Sequence, residues 1–283
     1  MSGRKDYAAL VASEIRPPES DCCRLAFLSG AIHTSATLEI AGGQRKLVLQ
    51  RPEIADKLDP PLQAMFGMRT EAGEIRGDVL GLLGELGILK ASPDGLLGIE
   101  RGADKHIVMG DCCKAAYLSG AYLGAGSVRI APGDNRLRWS VNYVELAEDL
   151  SAMLGHFGVN SFLSEHKERF DVYVRRGQAI CDCFVLMGAK KAMLTFSEEM
   201  MLSESRADIN RITNIEVANI DKTVSAGLKQ IAAVRTILER DGLDSLEPRL
   251  KETAVLRLES EYMTLEEMAT RLGVSKGSVK YRL

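Results

Sequence analysis

Two stretches of the chain repeat the same pattern of apolar and polar positions. Residues 21–40 read DCCRLAFLSGAIHTSATLEI and residues 111–130 read DCCKAAYLSGAYLGAGSVRI, with nine of the twenty positions identical at a spacing of 90. Apolar residues recur at helical spacing in each copy, predicting a helix, with Asp21 and Asp111 as its N-caps. Each helix carries a run of small residues, Ser29-Gly30-Ala31 and Ser119-Gly120-Ala121. Small residues let backbones approach closely, so the two helices are expected to form a seam that crosses at Gly30 and Gly120. Strand-like runs follow each copy: 37–40 and 46–49 around Gly42-Gly43, and 127–130 and 137–141 around Pro132-Gly133-Asp134-Asn135. Helices are predicted over 52–66 and 144–157. The second half then shows a hairpin, 161–164 with 170–174, and a helix over 177–187. The first half shows no counterpart to that hairpin: 67–77 is short and polar, and leads straight to a helix over 78–86.

The pattern changes near Ser205. The segment from Asn210 to Thr223 sets Asn210, Arg211, Asn214 and Asn219 around sparse apolar residues, suiting either a solvated face or a partner or nucleic-acid surface. Val217, Ile220, Val224, Leu228, Ile231, Val234 and Leu238 then recur at steps of three or four. They predict one apolar stripe on a helix ended by Asp241-Gly242. A helix over 250–259 follows. Thr264-Leu-Glu-Glu267 has the form of a capping box, opening a helix that runs to Leu272. Gly273 suits a tight left-handed turn, and Ser275 suits the cap of a last helix over 276–283. Ala269, Gly273 and Val279 fall where a helix-turn-helix needs a close crossing, a turn and an anchor. Leu265, Met268, Leu272 and Val274 would complete its small core. A generic helical hairpin is the plainer alternative.

At 283 residues the chain has room for about two domains. The net charge of −3 excludes a basic nucleic-acid coat over the whole chain, but not a local patch. The last twelve residues hold Lys276, Lys280 and Arg282 and no acid, so positive charge gathers on the last helix. The longest apolar stretch, from Val79 to Leu89, is broken by Glu85 and glycines and falls short of the ~20 residues of a membrane helix. No apolar signal region follows the N-terminal residues, which points to a soluble cytoplasmic protein. The six cysteines are Cys22, Cys23, Cys112, Cys113, Cys181 and Cys183, with no C-x-x-C among them. Adjacent cysteines point to different sides of a helix, so they are expected to be packed free thiols. Neither a metal nor a cofactor is expected.

Helix, hairpin, helix, hairpin, helix, complete in the second half and short of one hairpin in the first, with Leu-x-Gly at the seam, resembles the LAGLIDADG homing-endonuclease fold. In that family the later aspartate slot of each seam helix holds a metal-binding carboxylate, which supports hydrolysis. His33 and Ser35 fill the two slots of the first copy, and Leu123 and Ala125 those of the second. Ser35 and Ala125 carry no charge for a hard cation, so the domain is expected to be a catalytically dead scaffold and the protein not an enzyme. The hairpins carry Arg45, Lys46, Arg51, Arg129, Arg136, Arg138, Lys167, Arg169, Arg175 and Arg176, interspersed with Glu39, Asp134, Glu165, Glu168 and Asp171. They suit a phosphate-facing saddle or an ordinary solvated sheet equally well.

The order of parts resembles the WhiA family of sporulation and cell-division transcription regulators. The resemblance rests on Asp111-Cys112-Cys113, on the Asn210 to Thr223 segment, and on Ser275-Lys276…Val279…Arg282-Leu283. It implies an α+β fold: a duplicated LAGLIDADG homing-endonuclease-like domain followed by an all-α helix-turn-helix domain. The expected parts are a degenerate domain over 1–200, with repeats at about 21–90 and 111–195, a helical linker over 201–242, and a helix-turn-helix over 243–283. The family usually continues the helix past Leu283, so the helix-turn-helix is either naturally short here or truncated. Lys280-Tyr281 stands where the resemblance implies an Asn-His pair. The implied function is sequence-specific binding of double-stranded DNA in transcription regulation, cell division, chromosome segregation and sporulation, in a cytoplasmic, nucleoid-associated protein. Lys276, Gly277, Ser278 and Lys280 are expected at base edges, and Ser275, Tyr281 and Arg282 at phosphates. Two alternatives stand beside this reading: an active LAGLIDADG-type nuclease or maturase, and a scaffold for a partner regulator or RNA polymerase.

Overall fold

A computed structural model describes residues 6–41, 43–91, 97–131, 133–260 and 262–283. The turn positions Gly42 and Pro132 and the first five residues, on which part of the sequence reading fell, lie outside the described residues. The chain divides into two compact units, Met1–Leu202 and Ser203–Leu283.

In the first unit the repeated segments form helices of fifteen residues each, α2 (Asp21–Ser35) and α5 (Asp111–Ala125), preceded by a short α1 (Tyr7–Glu14). The caps differ from expectation. Ser20 and Gly110 hold the extended N-cap conformation, and Asp21 and Asp111 are the first helical residues. An acid there still favours the positive end of the helix dipole. Asp21 accepts from Arg24 at 3.0 Å, and Asp111 lies 2.7 Å from His156 Nε2.

Each seam helix leads into a four-stranded antiparallel sheet. The first is made of β1 (Ala36–Ala41), β2 (Gln44–Leu49), β3 (Thr70–Glu71) and β4 (Glu74–Arg76), in the order β1-β2-β4-β3. Then come β5 (Leu89–Ala91) and β6 (Leu97–Ile99), a separate hairpin. The second sheet is made of β7 (Gly126–Arg129), β8 (Arg136–Val141), β9 (Phe162–His166) and β10 (Arg169–Val174), in the equivalent order β7-β8-β10-β9. The first half therefore does have the hairpin that the sequence reading denied it. Strands of two and three residues are too short to show a period of two, but β4 still pairs with β2 from Lys46↔Arg76 to Val48↔Glu74.

Alternation sets the core. Leu137, Trp139 and Val141 of β8 and Val172 and Val174 of β10 are buried against the helices, while Arg136, Arg138 and Tyr173 face outward. Trp139 Nε1 donates to the Leu118 carbonyl at 3.3 Å, and Ser29 Oγ donates to the Leu86 carbonyl at 2.8 Å. Outer helices complete the unit: α3 (Ala55–Phe66), α4 (Val79–Glu85), α6 (Val144–His156) and α7 (Gly177–Leu186).

Helix α8 runs unbroken from Lys190 to Arg240, 51 residues. The expected change near Ser205 is one of polarity, not of backbone. The stretch holds no proline and one glycine, so nothing ends it before Asp241-Gly242, where Gly242 takes φ +74°. Glu14 caps its start by accepting from the amides of Lys191 and Ala192. The expected apolar stripe is not a continuous packed face. Ile231 and Val234 are buried, whereas Val217, Ile220, Leu228 and Leu238 are exposed.

The second unit continues with α9 (Pro248–Glu259), α10 (Leu265–Leu272) and α11 (Lys276–Arg282). Leu256, Met268, Ala269 and Val279 form its core, with Leu265, Leu272 and Val274 packed against them. Arg257, also buried, donates to the Met263 carbonyl at 2.7 Å and thereby ties down the approach to α10.

Candidate nucleic-acid interface

The geometry of α10 and α11 is set by their ends. Thr264 Oγ1 accepts from the Glu267 amide at 3.2 Å, and Glu267 accepts from the Thr264 amide at 2.8 Å, so each satisfies the other's orphan group. The bond from the Thr264 amide, helped by its hydroxyl, holds the Glu267 carboxyl below the usual carboxylate range. Gly273 ends α10 at φ +64°, where a Cβ would be strained, and Ser275 then accepts from the Ser278 amide at 3.2 Å to start α11. Two short helices are thereby held at a tight turn.

Val279 is fully buried, which fixes the rotation of α11. Lys276, Gly277, Lys280 and Tyr281 then share the exposed face, and the Ser275 cap is exposed beside them; Tyr281 is 91% exposed. Ser278 and Arg282 are half-buried at the flanks, and Arg282 Nη1 is enclosed by protein. Lys276 is paired with Glu266 of α10 at 3.2 Å, a contact that sequence spacing did not suggest. Both partners are exposed, so the pair is weak and readily exchanged.

In the first unit Gly30 and Gly120 sit where the backbones of α2 and α5 touch. A Cβ on Gly30 would overlap the Tyr117 carbonyl oxygen and lie 3.0 Å from the Ala121 amide; one on Gly120 would overlap the Phe27 carbonyl oxygen. The two slot residues lie beyond this crossing, near the C-terminal ends of the helices. Ser35 is buried and its hydroxyl donates to the Ala31 carbonyl at 2.7 Å; Ala125 is buried and apolar. His33 Nδ1 meets the Tyr117 hydroxyl at 3.1 Å and its Nε2 is enclosed. Burial pulls the His33 pKa down to about 4, so the ring is neutral at physiological pH. Neither slot supplies a carboxylate.

Much of the basic set on the hairpins is engaged within the protein. Lys46 pairs with Glu74 at 2.6 Å and Glu39 at 3.3 Å, Arg138 with Asp171 at 3.1 Å, and Arg129 and Arg136 with Asp134 at 3.6 Å. Arg51 donates to the Leu123 and Gly126 carbonyls at 3.2 and 2.9 Å, closing the end of α5. Arg136 and Arg175 lie over the Tyr173 ring.

All six cysteines are free thiols, as expected, but Cys22 and Cys112 are exposed rather than packed, and the arrangement of the first four departs from expectation. Because α2 and α5 run parallel, their N-terminal ends meet, and Cys22, Cys23, Cys112 and Cys113 cluster with every Sγ within 4.8 Å of the others. Adjacent thiols do converge: the pairs are 3.9 and 4.0 Å apart. The repetition of Cys-Cys at one position of both copies was the signal in the sequence. Cys181 and Cys183 of α7 are buried free thiols.

Among the described residues no helix is long and apolar enough to cross a membrane. Residues 114–206 match the WhiA LAGLIDADG-like domain and residues 209–283 the WhiA C-terminal HTH domain. Proteins named "Probable cell division protein WhiA" are similar along nearly their whole length. The one from Alkaliphilus metalliredigens is 30% identical over 94% of this chain and 90% of that protein. The one from Desulforudis audaxviator is 32% identical over 93% and 88%. The crystal structure of full-length WhiA from Thermatoga maritima shares the fold, with a TM-score of 0.56 at 17% identity over 97% of this chain and 94% of that one. With its duplicated LAGLIDADG-like domain and its helix-turn-helix, the chain belongs to the WhiA family.

Proposed function

We propose that this chain is a DNA-binding regulator of cell division, reading duplex DNA through the exposed face of α11. Residues 243–283 would be the reading domain, 201–242 a helical connector and 1–200 a non-catalytic scaffold. The names of the relatives and the match to a helix-turn-helix family support the regulator. The observation that carries the interface is the shared exposure of Lys276, Gly277, Lys280 and Tyr281 on a helix anchored by Val279. A helix so presented fits the major groove, with lysines at base edges. Ser275 and Tyr281 would hold phosphates. The half-buried Arg282 suits packing better than the phosphate contact expected of it. The uncharged Ser35 and Ala125 argue against nuclease chemistry, since a hard cation wants oxygen anions. Roles in chromosome segregation and sporulation, a nucleoid location, and docking to RNA polymerase or a second regulator extend the same reading.

Binding of the full chain to a cognate and a scrambled duplex tests it. Lys280→Ala should cost about 1–3 kcal/mol on the cognate duplex and relax preference at one base pair. Tyr281→Phe should weaken both duplexes alike. If both variants bind as the parent does, α11 is not the reading helix.

A further inference from the structure

We propose that Cys22, Cys23, Cys112 and Cys113 form a tetrathiolate site for a single zinc ion that ties the two repeats together at the head of the seam. The four Sγ atoms lie within 4.8 Å of one another, and the two pairs close to 3.9 and 4.0 Å. A tetrahedral ion with Zn–S bonds of ~2.3 Å has sulfur–sulfur edges of roughly 3.8 Å. The cluster therefore needs only small side-chain shifts to reach that geometry. Four thiolates and no oxygen ligand select a soft, tetrahedral ion over magnesium or calcium.

The helix ends explain why adjacent cysteines converge. Cα–Cβ bonds tilt towards the N-terminus of a helix, so the side chains of its second and third residues reach back past its end. Two parallel helices direct both pairs into the same space. The positive ends of both dipoles face the sulfurs, while burial pushes the Cys23 and Cys113 thiols up, Cys113 to about 12, so the charge of the ion itself draws off their protons. Binding exchanges protons for the metal: four thiols release four protons to give a site of net charge −2. A cavity lined by Arg16, Pro18, Cys23, Cys112, Met187 and Lys190 adjoins the cluster. It offers an entry path, and Arg16 and Lys190 bring two cations towards the dianionic site. Cys22 and Cys112 are exposed, so incoming zinc meets them first, while the buried Cys23 and Cys113 close the site from within.

The test is to titrate the full chain, reduced and stripped of metal, with zinc alone and in parallel with cobalt(II) alone. One zinc ion should bind per chain and raise the melting temperature. Cobalt should give the intense visible bands of a tetrahedral thiolate complex. Cys22→Ser with Cys112→Ser alters only exposed side chains; it should weaken zinc binding by more than about a hundredfold and abolish those bands. Cys181→Ser should bind zinc as the parent does. The proposal is overturned if the fully reduced chain takes up no zinc, or if the double variant binds zinc as tightly as the parent.

Discussion

His33 stands in the first aspartate slot and is neutral there. Its ordinary pKa of 6.5 applies to the unfolded chain, and burial lowers it to about 4 in the folded one. Between those values the unfolded chain binds a proton that the folded chain refuses. Stability is therefore full above pH 6.5 and declines as pH falls towards 4, by about 2–3 kcal/mol once the partial exposure of the ring is allowed for. His33→Gln should flatten that part of a stability-versus-pH curve measured by urea unfolding at several pH values. An unchanged slope would mean that the decline comes from other groups. The uncharged state of both slots was legible in the sequence, because it needs only residue identity at a repeated position. The engagement of Arg51, Arg138 and Lys46 was not, because it depends on which carbonyls and carboxylates the sheet register brings near. The four-thiol cluster was hidden for the same reason. Its halves lie 90 residues apart, and only the parallel seam unites them.

The seam also gives the sharpest contrast between two glycines. Gly120 faces the backbone of α2 with no room for a methyl group, whereas a Cβ on Gly155 of α6 would meet nothing within 4 Å. The same substitution should therefore have opposite signs. Gly120→Ala should cost about 2 kcal/mol or more, since the clash is with a carbonyl oxygen that cannot turn aside. Gly155→Ala should raise stability by about 0.5–1 kcal/mol through helix propensity and a less flexible unfolded chain. Thermal melts of the two variants decide the matter; equal losses would mean that the helices are not in backbone contact. Long helices with repeated small residues and strands of six residues were readable from periodicity. The strands β3 and β4 were not, because two or three residues hold no full alternation. The continuity of α8 was missed because a change from apolar to polar does not break a helix; only glycine, proline or a cap does.

For the whole molecule, a net charge of −3 means that DNA is met by local cations rather than by the general field. Two lysines are presented on α11, and much of the basic set on the sheets is already paired with acids. The logarithm of the binding constant should therefore fall with the logarithm of salt with a slope of roughly −2, about one released counterion for each of the two lysines set in the groove. A slope steeper than about −5 in a salt titration would bring the sheet faces of the first unit into contact with the duplex.

Synthesis on the ribosome gives the seam a timetable. At about 5–20 residues per second, the 90 residues between the two copies take roughly 5–20 s to appear. Throughout that interval α2 lacks α5, although Phe27, Ala31 and Thr34 on its inner side are buried in the finished fold. The centre of that side is Gly30 and Ala31, which expose little apolar surface while they wait. A seam built on close backbone approach thus lets the first half be made early and sealed late, with less sticky surface than a leucine-filled interface would leave in the crowded cell.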